Sequence, residues 1–338
     1  MKKAVILGER RAALVDAPVP QAKENWVVVK VHVAPMCTEY KAFVAGQPNE
    51  YLGHEAAGEV VEVAQPGKVR AGDRVVVMPL YPCGRCALCL SGDYIHCQHG
   101  ISVAEFTGSR EGSATMAQYL LKPDWLLPRI PDDVSYEDSS LACCALGPSF
   151  GALDRMQVDA FDTVLITGLG PVGLGALVNA RFRGARAIAV ESHPYRVARA
   201  REMGAAAVLD PGDPDVLAQI RALTGGIGVD KALDCSGVVA AQRLCIDATR
   251  RRGQVAFVGE CQDELTIRVS PDLIRKGLTI HGSWHYNLNL FPRIMQVIRE
   301  SPLIPLLVSH VLPMSRIQEA MELSASHNCA KILLKPWE

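Results

Sequence analysis

The stretch "DTVLITGLGPVGLGALVNARFRGARAIAVE", residues 162–191, constrains the fold of this chain more than any other segment. It reads strand, glycine turn, helix, strand, and Gly168, Gly170 and Gly173 fit the pattern GxGxxG. A lone GxGxxG is weak, but this one follows the apolar run at 164–167 and opens a helix of small residues. The first glycine permits a tight turn, the second lets backbone approach a pyrophosphate, and the third lets helix pack closely on strand. Pro171 and Val172 then begin the helix, whose N-terminal amides face the phosphates. Glu191 ends the next strand, at a spacing that suits a carboxylate bonded to both adenosine ribose hydroxyls. Such a carboxylate repels a 2′-phosphate, so NAD is expected over NADP. Arg196 is either a coenzyme contact that softens this preference or a solvated helix residue.

Strands and helices keep alternating afterwards, through "AAAVLD", "PDVLAQIRALTG", "VDKALDCSG", "VAAQRLCIDATRR" and "GQVAFVGE". The helix "SPDLIRKG" and the strand "LTIHGSW" complete the series. Alternating units of this kind build a parallel, doubly wound sheet. The N-terminal third differs: "WVVVKVHV", "AAGEVVEVA" and "DRVVVMP" are short strands between glycine and proline turns, the texture of a barrel-like β domain. A length of 338 residues fits two such domains.

Charge excludes several classes of partner. The 35 basic and 36 acidic residues nearly cancel, leaving no footprint for nucleic acid or an anionic membrane. The N-terminal "MKKAVILGERR" is too short in its apolar run for an export signal, and no segment is long and apolar enough for a bilayer span. Eleven cysteines, an odd number without an export signal, argue for a reducing cytoplasm with metal as the cysteine partner.

Four of those cysteines fall within "CGRCALCLSGDYIHC". Cys83, Cys86, Cys89 and Cys97 have the repeated close spacing that tetrahedral zinc accepts, and Gly84 and Gly92 let the backbone wrap a small ion. Four thiolates close the coordination sphere, so this zinc is expected to be structural. A second, open zinc can be assembled from three other places: Cys37 just after a strand, His54 with Glu55 just before another, and Cys143 or Cys144 before the glycine turn.

Taken together and in order, these residues resemble the zinc-dependent medium-chain alcohol and polyol dehydrogenases over essentially the whole chain. "GHEAAGEV", "GDRV" at 72–75 and "GLGPVG" at 168–173 carry the likeness beside the cysteines. The resemblance implies a Rossmann domain inserted in a β-rich, GroES-like catalytic domain, with two zinc ions per chain and NAD. It makes Cys37 and His54 catalytic ligands, and counting back from Ala152 selects Cys144 as the third, with Cys143 as competitor. Glu55 resembles the family's acid beside the zinc. The expected limits are 1–147 for the catalytic domain, 148–285 for the cofactor domain and 286–338 for the return.

One departure stands out. The family usually places a hydroxyl residue two positions after the first cysteine and an aspartate after that, whereas here Cys37 is followed by Thr38, Glu39 and Tyr40. Either Thr38 takes the proton relay or Glu39 occupies that position with a carboxylate, and Thr38 is the preferred reading. "GSWHYNLNLF" resembles the polyol branch, in which His285 and Tyr286 match residues that meet substrate hydroxyls, although both can equally cap local structure. The implied reaction is hydride transfer between a secondary alcohol (polyol, cyclitol or amino alcohol) and NAD. Homodimers or homotetramers formed through edge strands are expected, with "LTIHGSW" as the interface. The rival readings are a non-catalytic zinc-stapled dinucleotide sensor or scaffold, and, remotely, a zinc-ribbon nucleic-acid module.

Overall fold

Strand β3 (Trp26–Pro35) shows how this sequence builds its first core. In the computed structural model, which describes residues 1–338, β1 (Lys2–Gly8) and β2 (Arg11–Asp16) form an antiparallel hairpin before it. β4 (Ala56–Glu62), β5 (Arg74–Val77) and β6 (Tyr119–Pro123) follow. Side chains alternate across a strand, and nearly every residue of "WVVVKVHV" is buried, so β3 must serve two cores. Val27, Val29 and Val31 join Ala56, Val60, Val75 and Val77 in one cluster. Trp26 and Val28 face Leu121, Tyr81, Ile101 and Phe106 in another. That second cluster seals the base of the four-cysteine segment, where the Ile101 N–H donates to the Tyr81 carbonyl at 2.7 Å.

The chain then enters a six-stranded, wholly parallel sheet of β7 (Thr163–Thr167), β8 (Arg186–Val190), β9 (Ala207–Leu209), β10 (Val229–Asp234), β11 (Thr249–Phe257) and β12 (Thr279–Gly282). Its spatial order is β12-β11-β10-β7-β8-β9. The chain winds outward from β7 in one direction, then returns across it to wind in the other. The order therefore reverses between β7 and β10, and doubly wound sheets bind ligands outside the carboxyl ends of strands at such a point. Helix Pro171–Phe182 begins there, straight after β7.

"SPDLIRKG" departs from the expected helix: Val269–Ile274 forms a single wide turn in which the Arg275 N–H reaches the Ser270 carbonyl. Asp272 is the cause. Its carboxylate accepts from the Arg268 N–H at 2.8 Å and from the Arg243 guanidinium at 2.7 Å, which anchors the turn before a regular helix can extend.

The return brings β13 (Val308–Pro313) and β14 (Lys331–Lys335) into the first sheet, in the order β13-β14-β3-β4-β5. β14 runs antiparallel to β3 at Leu333 opposite Pro35, and the Met36 N–H donates to the Ile332 carbonyl. The C-terminal strand thus lies beside the residues that lead into Cys37. Two compact units result: 1–144 with Asn287–Glu300 and Val308–Glu338, and Ala145–Tyr286 with Ser301–Leu307. The return is therefore interrupted, since 301–307 group with the cofactor unit. No helix is long and apolar enough to cross a membrane.

Candidate active site and metal centres

Cys83, Cys86, Cys89 and Cys97 converge as a compact set of thiols. Sulfur separations are 3.5 Å for Cys86 and Cys89, 3.6 Å for Cys83 and Cys97, 3.9 Å for Cys86 and Cys97, and 4.0 Å for Cys83 and Cys89. Tetrahedral zinc with Zn–S lengths of about 2.3 Å places its sulfurs roughly 3.8 Å apart, so the donors fit that ion. Gly84 and Gly92 both have positive φ, 71° and 88°, which lets the chain curl round the site. The Cys83 thiol is pulled down to about 6, first by the Arg85 N–H and then by that of Cys86.

The second centre gathers donor atoms of Cys37, His54, Glu55 and Cys144, all within 4.8 Å of one another. Cys37 follows β3, His54 and Glu55 precede β4, and Cys144 comes from the turn before helix Gly147–Arg155. His54 Nε2 lies 3.2 Å from Cys144 Sγ. Cys143 is turned the other way, its buried thiol directed at the Val77 carbonyl at 3.6 Å. Two sulfurs and one imidazole nitrogen suit zinc, and the Glu55 carboxylate beside them is engaged by Lys331 and the Cys144 N–H.

The groups around these donors are ordered. Glu39 Oε2 accepts from the Cys37 N–H at 2.7 Å, while Oε1 faces His54 Nδ1 at 3.4 Å. This is the carboxylate–imidazole arrangement that fixes the ring of a metal-bound histidine. Thr38, at the start of helix Glu39–Val44, is exposed and its side chain makes no capping bond. Burial disfavours the His54 cation, but Cys37, Glu39 and Glu55 outweigh it and carry the imidazole up to about 11. Cys37 is held well below the ordinary thiol range, chiefly by its hydrogen bond with Cys144. The hydrogen bond that lowers Cys37 raises its partner Cys144 well above the ordinary thiol range, so the pair favours negative charge on the Cys37 sulfur.

Glu55 is fully buried. Its Oε2 accepts from the Cys144 N–H at 3.1 Å and its Oε1 from Lys331 Nζ at 2.6 Å. Burial lifts its carboxyl to about 7 against the pull of Lys331. Lys331 is equally buried, and Glu55 with the two thiols more than offsets that burial, holding it as an ammonium. No motif in the sequence marks Lys331. The one signal is a lysine opening the otherwise apolar strand "KILL".

In the other unit the glycine turn has the expected close approaches. Gly168 has φ +77°, and a Cβ on it would stand 2.5 Å from Ser236 Cβ, at the end of β10. A Cβ on Gly173 would lie 1.9 Å from the Gly168 carbonyl oxygen. Gly170 precedes Pro171 in extended backbone. The Glu191 carboxylate receives the Leu169 N–H at 2.8 Å and those of Ser192 and His193 at 2.9 Å, so it also braces the turn. The Arg196 guanidinium lies 3.9–4.0 Å from where a Gly170 Cβ would be, and its Nε is buried without a partner. The N-terminal amides of the helix, with the unpartnered Arg196 Nε beside them, fit a pyrophosphate. His285 has a positive φ of 48° and its ring lies against Trp284, whereas Tyr286 is buried.

Comparison with known proteins places the fold and the family. Residues 23–132 match the alcohol dehydrogenase GroES-like domain, and residues 171–300 match the zinc-binding dehydrogenase family. The chain is 32% identical to a zinc-type alcohol dehydrogenase-like protein of Escherichia coli, covering 99% of this chain and 98% of that protein. It is 30% identical to sorbitol dehydrogenase of Bacillus subtilis, over 99% and 97% of the two. Among solved structures, an alcohol dehydrogenase from Thermus superposes with a TM-score of 0.90 at 26% identity, over 99% of both chains. The 2R,3R-butanediol dehydrogenase of Bacillus subtilis does so at 0.84 and 26%, again over 99% of both. The chain belongs to the zinc-dependent medium-chain alcohol and polyol dehydrogenase family.

Proposed function

We propose that the protein is an NAD-dependent dehydrogenase of a secondary alcohol whose neighbouring carbon carries a hydroxyl or amino group. The convergence of Cys37, His54 and Cys144, with Glu55 beside them, is the observation that carries this reading, in which the first three hold the ion and the fourth position takes the alcohol. Cys83, Cys86, Cys89 and Cys97 hold a second, structural zinc in the same proposal. When bound, the catalytic zinc supplies Lewis acidity toward an alcohol oxygen, and the dinucleotide supplies a hydride acceptor.

The chain's own residues do the rest. Glu39, engaged with both the Cys37 N–H and His54, orients the imidazole. That leaves Thr38, exposed and uncommitted, to pass the alcohol proton to solvent. Glu55 and Lys331 set the local charge beside the thiolates. Gly168, Gly170, Pro171, Val172 and Gly173 bind the pyrophosphate, with Arg196 beside them, and Glu191 selects NAD through its remaining lone pairs toward the ribose hydroxyls. His285 and Tyr286 are assigned to the neighbouring hydroxyls. Sorbitol and threonine dehydrogenases among the relatives support this substrate class. The outer edge of β12, which has no partner strand, supports self-association into a dimer or tetramer.

The test is NADH formation by zinc-loaded protein with sorbitol, L-threonine, 2,3-butanediol and a cyclitol, repeated with NADP. Turnover that vanishes in Cys37→Ala and His54→Ala supports the enzyme. Silence across the panel, with NADH still bound, would instead favour a non-catalytic dinucleotide sensor.

A further inference from the structure

β10 ends at Asp234, which pairs with Thr167 at the end of β7. Asp234 is fully buried, and its carboxylate accepts five hydrogen bonds. Oδ1 receives the Thr167 hydroxyl at 2.9 Å, the Ser236 hydroxyl at 2.6 Å and the Ser236 N–H at 3.0 Å. Oδ2 receives the Gly237 N–H at 3.1 Å and Nε2 of Gln242, on helix Val239–Ala248, at 3.4 Å. The main chain of Asp234 is committed as well, its carbonyl accepting the Val258 N–H at 2.9 Å and the Gly259 N–H at 3.0 Å just beyond β11. One residue thus ties together the turns that leave β7, β10 and β11 at the carboxyl end of the sheet.

Two of those turns touch. Thr167 precedes Gly168, and a Cβ on Gly168 would stand 2.5 Å from Ser236 Cβ and 2.8 Å from Ser236 Cα. The glycine turn therefore rests on Ser236, which Asp234 Oδ1 holds by both hydroxyl and N–H. Because the same oxygen holds Thr167, a single atom sets the register between the strand that feeds the glycine turn and the surface that turn rests on. Strand pairing alone asks for no charge here: behind this pair lie Leu165, Ile166, Ala232 and Leu233, all apolar and fully buried. Burying a carboxylate is costly, and all five donors that compensate this one are uncharged.

We propose that Asp234 is a positioning residue for the coenzyme, locking the β10 turn against the glycine turn so that the amides opening helix Pro171–Phe182 are held in place for a pyrophosphate. This rests on the proposed reading of the glycine turn as a dinucleotide site. Asp234 acts on the coenzyme through Thr167 and Ser236 and does not itself touch it.

The links can be cut one at a time. Asp234→Asn keeps the shape and one acceptor, but its new amide faces the Gly237 N–H, donor against donor. Thr167→Val removes only the link to β7, leaving Oδ1 with both donors of Ser236, whereas Thr167→Ser keeps that link. Titration with NADH, followed by its fluorescence, should show affinity about tenfold weaker in Asp234→Asn and about threefold weaker in Thr167→Val, with Thr167→Ser within about twofold of the parent. ADP-ribose, which carries the pyrophosphate without the nicotinamide, should lose affinity by the same factors. Hydrogen exchange of the 167–173 peptide, read without coenzyme, should rise in Asp234→Asn and Thr167→Val and stay at the parent rate in Thr167→Ser. A folded Asp234→Asn that binds NADH as the parent does overturns the proposal, even where its urea midpoint falls. Equal NADH affinity in Thr167→Val and Thr167→Ser overturns it too, and these two variants decide alone if Asp234→Asn does not fold. If the parent binds neither NADH nor ADP-ribose, the dinucleotide reading fails and takes the coenzyme role with it, while exchange that still follows the variants would leave Asp234 as a lock on the turn alone.

Discussion

Glu39 shows how one residue's length can offset a missing position. With Thr38 directly after Cys37 there is one residue fewer than the family spacing before the acid. The longer glutamate side chain still spans from the Cys37 N–H to His54 Nδ1. Removing its charge should therefore weaken the centre through the histidine: Glu39→Gln is expected to lower kcat/KM by about 10- to 100-fold with the thiol ligands intact. Thr38→Ala, acting on the proposed relay, should lower kcat while Thr38→Ser largely preserves it. Lys331 offers a stability test at the same scale. Its pairing with Glu55 is fully buried, so Lys331→Met leaves a carboxylate uncompensated and should cost about 3–5 kcal/mol in denaturant unfolding.

At the scale of elements, the turn from β7 into helix Pro171–Phe182 has no room for a side chain at its third glycine. Gly173→Ala drives a methyl group into the Gly168 carbonyl, so NADH titration should show affinity falling by an order of magnitude or more while the zinc content of the other unit is unchanged. β6 presents a different kind of constraint. Lys122 is buried, bonded to the Leu80 carbonyl at 2.5 Å and lying over the Tyr81 ring. Burial pulls its ammonium down from the ordinary 10.5 to about 7. Between those values the unfolded chain binds more protons than the folded one, so this group makes stability rise with pH across the window. The rise is on the order of 1 kcal/mol per pH unit. Comparing urea midpoints of the parent and Lys122→Met over that range should show a more positive slope in the parent than in the variant.

The whole molecule separates its tasks: a metal-bearing unit built on β3 to β6 with β13 and β14, and a dinucleotide unit built on β7 to β12. Metal analysis should accordingly find two zinc ions per chain. Cys37→Ala and His54→Ala should fall to about one with the fold retained, whereas Cys86→Ala should lose the structural ion and much of the unit's thermal stability. An intact count in His54→Ala would contradict the open centre.

Much of this was legible in the chain because the governing interactions are local. Cys83 to Cys97 and Gly168 to Gly173 sit within one or two turns, and their chemistry follows from spacing and from the bonds a glycine permits. The parallel, doubly wound architecture was equally readable, since alternating strands and helices have few parallel arrangements open to them. Tertiary structure alone decided what depends on distant segments meeting. Cys143 and Cys144 are neighbours that local chemistry does not distinguish; the resemblance selects Cys144, and the path of the turn after Ser140 sends its sulfur to His54 and the other to Val77. Lys331 reaches Glu55 because β14 pairs with β3, and Asn287 reaches Asp93 because the chain returns onto the four-cysteine turn. Hydrogen bonds and ion pairs act over a few ångströms, so partners hundreds of residues apart leave no periodic trace in the sequence, and only packing reveals them.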